Sequence, residues 1–224
     1  MKNKKIALVI GGTSGLGLEL AKLLLLKEYD VFITGRKKPK LKNVNFINID
    51  LCSKNLASKI GNLIDSLPKI DFLSYAAGFY QKGTITELSQ KDLDDMFNVG
   101  LIAPIHFLKQ ILIKQKTLPI FVPISSTSQW TPRLKEPVYA AVKGGLGMLA
   151  NSVSLDPKIK KTLLVAPAGM NTEFWDNTDM NTKTFLDPKW VATQIMLQLN
   201  DNFNYKFIKI LRESPRVVLG EIRE

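Results

Sequence analysis

The chain predicts an α/β fold: one doubly wound, Rossmann-like parallel sheet of about seven strands with helices on both faces, formed as a single domain over residues 1–224. Three observations predict it. Short apolar, β-branched runs alternate with longer helical stretches along the whole length. The connections between strands are long enough for right-handed crossovers. No linker, repeat or low-complexity stretch divides the chain. In such sheets ligands sit beyond the carboxyl ends of the strands, so the residues that follow each strand carry the functional question.

The elements follow in order. KIALVI at 5–10 reads as a buried strand, and residues 15–27 as an amphipathic helix. VFIT at 31–34 and the alternating VNFINI at 44–49 are the next two strands. Ser53 is expected to cap a helix that runs to about Ser66. IDFLSY at 70–75 is the fourth strand. Ser89 opens a helical region to about Lys114, bent near Gly100 and Pro104. PIFVPIS at 119–125 is the fifth strand, 136–155 a helix and 162–165 the sixth strand. Residues 188–199 form a helix with proline in its first turn, and YKFIKIL at 205–211 is the last strand.

Composition excludes several classes. Hydrophobic residues make up 45% and charged residues 23%, as in a soluble globular protein. The one cysteine, Cys52, excludes an intramolecular disulfide and fits a reducing cytoplasm. The apolar run near the N-terminus is too short for a signal-peptide core. No apolar stretch is read as reaching the roughly 18 residues of a membrane span. A cytoplasmic protein with no membrane partner is therefore expected. The net charge of +11 invites a polyanion partner, but the lysines are scattered and no aromatic-basic platform interleaves with them, so no nucleic acid is expected. No His/Cys/Asp cluster has metal-ligand spacing, and no metal is expected. His106, the only histidine, reads as a core or interface residue.

IGGTSGLG at 10–17 ends the first strand and opens the first helix. Gly11 permits a tight turn, while Gly15 and Gly17 let backbone approach a pyrophosphate and let the helix pack close. Helix amides then face the phosphates, with Leu16 among them, and Thr13 and Ser14 add hydroxyls. A dinucleotide with a free ribose 2′-hydroxyl wants a carboxylate at the end of the second strand. Here that end reads Thr34-Gly35-Arg36-Lys37-Lys38. A guanidinium pairs with a 2′-phosphate, so NADP(H) is expected rather than NAD. After the third strand, Asp50 and Leu51 are placed to meet the adenine; Asp50 equally suits a cap for the helix that follows.

Ser126 lies thirteen residues before Tyr139, and Lys143 four after it. At that spacing tyrosine and lysine share a helix face. A neighbouring ammonium favours the phenolate and draws the tyrosine toward acid–base work near neutrality.

Glycine loop, Asp50-Leu51, Asn98, Ser126 and YAAVK at 139–143 occur in the order of the short-chain dehydrogenase/reductase family, which the chain resembles from Lys5 to about Leu211. The resemblance implies an NADP(H)-dependent oxidoreductase that interconverts a carbonyl and an alcohol. In it Tyr139 handles the proton, Lys143 lowers its pKa and holds the nicotinamide ribose, Ser126 positions the carbonyl, and Asn98 holds a water that links the lysine to solvent. Ala76, Ala77 and Gly78 follow the fourth strand in the family's manner, and PAGMNT puts Pro167, Gly169, Met170 and Thr172 at the nicotinamide. Residues 171–187 would form the substrate lid. Phe79, Tyr80, Gln129, Trp130, Arg133, Trp175 and Met180 are candidates for the pocket wall. A homodimer or homotetramer is expected through helices 89–114 and 136–155. Three departures stand out: Ile10 replaces a threonine, Tyr75 an asparagine that normally hydrogen-bonds within the sheet, and Ala168 a glycine. A second reading keeps the fold and dinucleotide site but makes the protein a non-catalytic regulator.

Overall fold

A computed structural model describes residues 4–80, 82–176 and 178–224. One eight-stranded sheet runs through it. The strands are β1 (Ile6–Ile10), β2 (Asp30–Gly35), β3 (Asn45–Asn48), β4 (Phe72–Tyr75), β5 (Ile120–Pro123), β6 (Thr162–Pro167), β7 (Tyr205–Leu211) and β8 (Arg216–Arg223). Their spatial order is β3-β2-β1-β4-β5-β6-β7-β8. All pairings are parallel except β7 with β8. The chain reverses direction across the sheet between β1 and β4, so a crevice forms at the carboxyl ends of those two strands. Eight strands replace the expected seven. The eighth is antiparallel and follows a turn that holds Ser214 at a φ of 49°.

Among the described residues six α-helices cover the faces: α1 (Gly15–Leu26), α2 (Leu56–Ser66), α3 (Gln90–Phe97), α4 (Ala103–Gln115), α5 (Pro137–Val153) and α6 (Pro188–Gln198). One core layer lies beneath α1 and α6 and contains Val9, Leu20, Leu24, Ile33 and Val191. The other, beneath α2, α4 and α5, contains Leu8, Ile60, Tyr75, Phe107 and Ala150. Largely apolar strands such as FLSY of β4, buried at all four positions with Ser74 donating to the Val122 carbonyl at 3.2 Å, are what a sheet covered on both faces requires.

Two sequence expectations change. The helix expected from Ser53 begins at Leu56, after Asn55 in a left-handed conformation. Asp50 caps the turn before it, accepting from the Cys52 amide at 3.0 Å, and does not cap the helix. The helical run Gln90–Gln115 is long and apolar enough, by length and composition, to cross a membrane. Its apolar side is used inside the fold, where Met96, Val99, Phe107 and Ile111 are buried. The expected bend in this run is a π-helical turn, Asn98–Ile102, between α3 and α4.

Leu20 and Leu26 lie on the same helix, one fully buried and the other 80% exposed. Leu20→Ala should lower unfolding free energy by about 2–5 kcal/mol in urea denaturation, and Leu26→Ala by no more than about 0.5 kcal/mol. Equal losses would contradict the placement of α1 against the sheet.

Candidate active site

The glycine turn is built by backbone-on-backbone contact. Gly11 has a φ of 78°, and a Cβ added there would lie 2.6 Å from the Ala77 amide nitrogen. A Cβ on Gly17 would lie 2.1 Å from the Gly11 carbonyl oxygen. Neither position admits a larger residue. The Gly11 amide donates to Thr34 Oγ1 at 3.3 Å, and Gly12 to the Thr34 carbonyl at 3.1 Å. Thr34, 1% exposed, thus supplies a hydroxyl at the edge of the turn from β2, while Ile10 is fully buried. Thr13 packs on Gly35, where an added Cβ would come within 2.4 Å of its hydroxyl. The first turn of α1 carries no acid, and its N-cap Ser14 makes no side-chain capping bond. The helix therefore presents free amides and a hydroxyl.

Thr172 sits directly against Gly15, whose added Cβ would be 3.3 Å from its methyl. Met170 bridges to Leu186, and the Asn171 amide donates to the Leu186 carbonyl at 2.9 Å. Gly169 is overlaid by Phe185, at 2.9 Å from an added Cβ. The adjacent Ala168 amide is used in the sheet, donating to the Ile210 carbonyl at 2.8 Å. Pro167 closes β6. At the other end of the crevice Arg36 is exposed just beyond β2, its carbonyl accepting from Asn48 Nδ2 at 3.2 Å. Among the described residues it has no acidic partner within salt-bridge distance. Leu51 is buried beside the exposed Asp50.

Tyr139 and Lys143 lie on α5, one turn apart, and both are almost fully covered at 9% and 6% exposure. Lys143 Nζ donates to the Ile124 carbonyl at 3.0 Å, lies 5.6 Å from the Tyr139 ring centroid, and would be 3.7 Å from a Cβ on Gly78. The two serines after β5 differ in surroundings. The Ser125 hydroxyl is engaged by Gln129 Oε1 at 2.7 Å and the Lys143 carbonyl at 2.9 Å. Ser126 accepts from the Ser128 amide at 3.1 Å, and its hydroxyl acts on Tyr139.

Electrostatics differ from the sequence expectation. Burial pushes the Tyr139 hydroxyl well above its ordinary value, and the smaller downward pull comes from Ser126. Burial also brings the Lys143 amine down to about 8. Desolvation outweighs the ammonium's expected pull on the phenol.

Of the expected pocket wall, Phe79 packs with Tyr139, Met96 and Val142. Tyr80 and Trp175 join Phe174 in an aromatic cluster, with Phe174 edge-on to Tyr139 at 5.9 Å. Trp130 and Gln129 do not belong to this wall. Trp130 meets Phe207 edge-on, with ring centroids 5.9 Å apart, and Gln129 is bonded to Ser125 beneath α5. Arg133 is exposed. Met180 lines a cleft of about 460 Å³ with Gly15, Glu19, Thr172, Trp175 and Asp176. Asn98 opens the π-turn, its carbonyl accepting from the Ala103 amide. That turn packs on α5, for a Cβ on Gly100 would lie 2.6 Å from Val142. Sequence reasoning did not assign the hydroxyls of Thr34 and Tyr75. The Tyr75 hydroxyl donates to the Val99 carbonyl, where its signal was only the departure from an expected asparagine.

Comparisons with known proteins agree with this geometry. A family model described as short chain dehydrogenase matches residues 5–183. An uncharacterized oxidoreductase of Staphylococcus epidermidis is 24% identical over 88% of this chain and 91% of its own. A 3-oxoacyl-[acyl-carrier-protein] reductase of Rickettsia felis is 25% identical over 90% and 91% of the two chains. The fold matches a short-chain dehydrogenase from Sphingobium yanoikuyae in complex with NADPH, with a TM-score of 0.78 and 18% identity over 88% and 84% of the chains. With a doubly wound sheet, a backbone-packed glycine turn and a family match across most of its length, the chain belongs to the short-chain dehydrogenase/reductase family of oxidoreductases.

Proposed function

We propose that the protein is an NADP(H)-dependent oxidoreductase that interconverts a carbonyl and an alcohol on a small molecule, with Tyr139 as the acid–base residue. The observation that carries this reading is the convergence of Ser126, Tyr139 and Lys143 beside the glycine turn, with Gly78 against the lysine. The residues present fit a dinucleotide. Gly11 and Gly17 let the turn close against Ala77 and against itself, which leaves the start of α1 at the end of β1, and the first turn of that helix bears no repelling acid. Arg36, exposed beyond β2, suits a 2′-phosphate. The NADPH bound to the Sphingobium yanoikuyae relative supports the same choice. When bound, the nicotinamide supplies or takes the hydride.

The chain's own residues do the rest. The Ser126 hydroxyl holds the carbonyl oxygen. Tyr139 keeps its proton in the buried ground state, because burial raises its pKa, and releases it only as negative charge develops on that oxygen. Lys143, whose ammonium dominates below about 8, stabilises the phenolate left behind. Asn98 lies on the turn packed against Val142, next to Lys143 in sequence, and carries the proton path outward. Phe174 covers Tyr139 and excludes water. The name of the Rickettsia felis relative places 3-oxoacyl thioesters among the substrates worth assaying, beside ketones and aldehydes.

Tyr139→Phe should lower kcat by about 10²-fold or more on any carbonyl the wild type reduces, while NADPH affinity stays within about twofold. NADPH absorbance and fluorescence titration measure the two. Binding without turnover across the panel would instead favour a regulatory role. Arg36→Asp should weaken NADPH about 10- to 100-fold and leave NADH little changed. Wild type that binds NADH as well as NADPH would sink the choice of dinucleotide.

Lys143 also gives a prediction that needs no substrate. Its folded pKa of about 8 lies below its ordinary 10.5, so between these values the unfolded chain binds more protons. Stability contributed at this position therefore rises with pH through that window. The wild-type urea midpoint should rise relative to that of Lys143→Met from pH 7.5 to 10; the comparison cancels the opposite trend of the Cys52 thiol, which burial pushes up to about 11 in both.

A further inference from the structure

Val99 lies second in the π-turn, and its residue is 7% exposed. In α-helical spacing its carbonyl would accept from the Ala103 amide. That amide goes to Asn98 instead. In π spacing the donor would be residue 104, which is Pro104 and has no N–H. The helix thus cannot satisfy this buried carbonyl from within, and the Tyr75 hydroxyl does so from β4. Tyr75 is 1% exposed, and burial holds its pKa well above the ordinary value, so it stays a donor.

The bond joins two parts of the site. Tyr75 is the last residue of β4 and is followed by Ala76, whose amide donates to Ile10 at 2.9 Å, by Ala77 against Gly11, and by Gly78 near Lys143 Nζ. On the other side, Gly100 of the π-turn packs on Val142, and Leu101 would lie 3.3 Å from a Cβ on Gly145 of α5. Strand end, π-turn and catalytic helix are locked through one hydroxyl.

We infer that Tyr75 is a positioning residue: its hydroxyl supplies the donor that Pro104 lacks, and so fixes the π-turn that sets Asn98 and α5 relative to the glycine turn. The inference rests on the reading of Tyr139 and Lys143 as the catalytic pair. It predicts compensation, because an N–H restored at position 104 can replace the hydroxyl.

The test is a double-mutant cycle in the full-length chain with NADPH and a carbonyl that wild type reduces. Tyr75→Phe should lower kcat roughly tenfold or more, with KM and NADPH affinity within about twofold. Pro104→Ala alone should stay near wild type. The double variant should recover most of the lost kcat, because Tyr75→Phe costs little in that background. Phe107→Leu, which loosens packing on the Tyr75 ring 6.4 Å away and keeps the hydroxyl, should retain kcat even where it lowers the melting temperature. A wild-type kcat in Tyr75→Phe, or no recovery in the double variant, overturns the inference. Equal loss in Phe107→Leu also overturns it, since that marks a packing role. Should wild type reduce no carbonyl, the functional reading fails by itself. Amide exchange across residues 98–103 then decides this point: exchange that rises in Tyr75→Phe and falls back in the double variant supports the bond, and unchanged exchange overturns it.

Discussion

The molecule is organised around a contact between two stretches of bare backbone. Gly11 rests on the amide of Ala77, and Gly17 on the carbonyl of Gly11. Any side chain at either glycine would push the first turn of α1 away from the end of β4. Because the contact is made, three things coincide at the carboxyl ends of the central strands. The helix amides of α1 lie free, Thr172 meets Gly15, and Gly78 reaches the Lys143 ammonium. The cost is that the backbone there has few partners of its own, and borrowed hydroxyls supply them. Thr34 serves the Gly11 amide and Tyr75 the Val99 carbonyl.

The chemistry is set by how dry this corner is. A phenol and an amine buried side by side are each driven toward their neutral forms. The phenol therefore holds its proton firmly, and the amine binds one less tightly than a lysine in water does. The cluster of Phe174, Trp175 and Tyr80 keeps water from weakening that arrangement. Burying Lys143 costs free energy that the surrounding apolar packing must offset.

Much of the architecture was legible in the sequence, for identifiable reasons. β1 and β4 to β6 announce themselves because strands covered on both faces must be largely apolar, and β7 does so by its alternation of apolar residues with lysines. The glycine turn is readable because backbone contact tolerates only one residue type. YAAVK is readable because helical spacing puts both groups on one face. β8 was hidden, since Gly220 interrupts it and charged residues flank it. The structure uses that glycine to let the Phe207 ring pass, at 2.4 Å from an added Cβ. The helix start at Leu56 was hidden because Asp50 and Ser53 look like caps while serving the turn before it. The hydroxyls of Thr34 and Tyr75 were hidden for a different reason: each meets its partner more than twenty positions away, and no local pattern encodes that distance. The pocket wall was read only in part, because Trp130 and Gln129 follow a strand end yet turn beneath α5 and onto β7.

The strand order carries a kinetic consequence. β1 lies between β2 and β4, and Ala7 pairs with Phe72 across a long intervening stretch. A chain emerging in sequence can form β1, α1 and β2 early, but one edge of its central strand stays open until β4 arrives. Closing that loop must precede the contacts that reward it, so folding of the sheet's centre should lag behind its first βαβ unit. During that interval the exposed edge of IALVI is the segment most able to pair with another chain, and chaperone protection would matter most for this short strand.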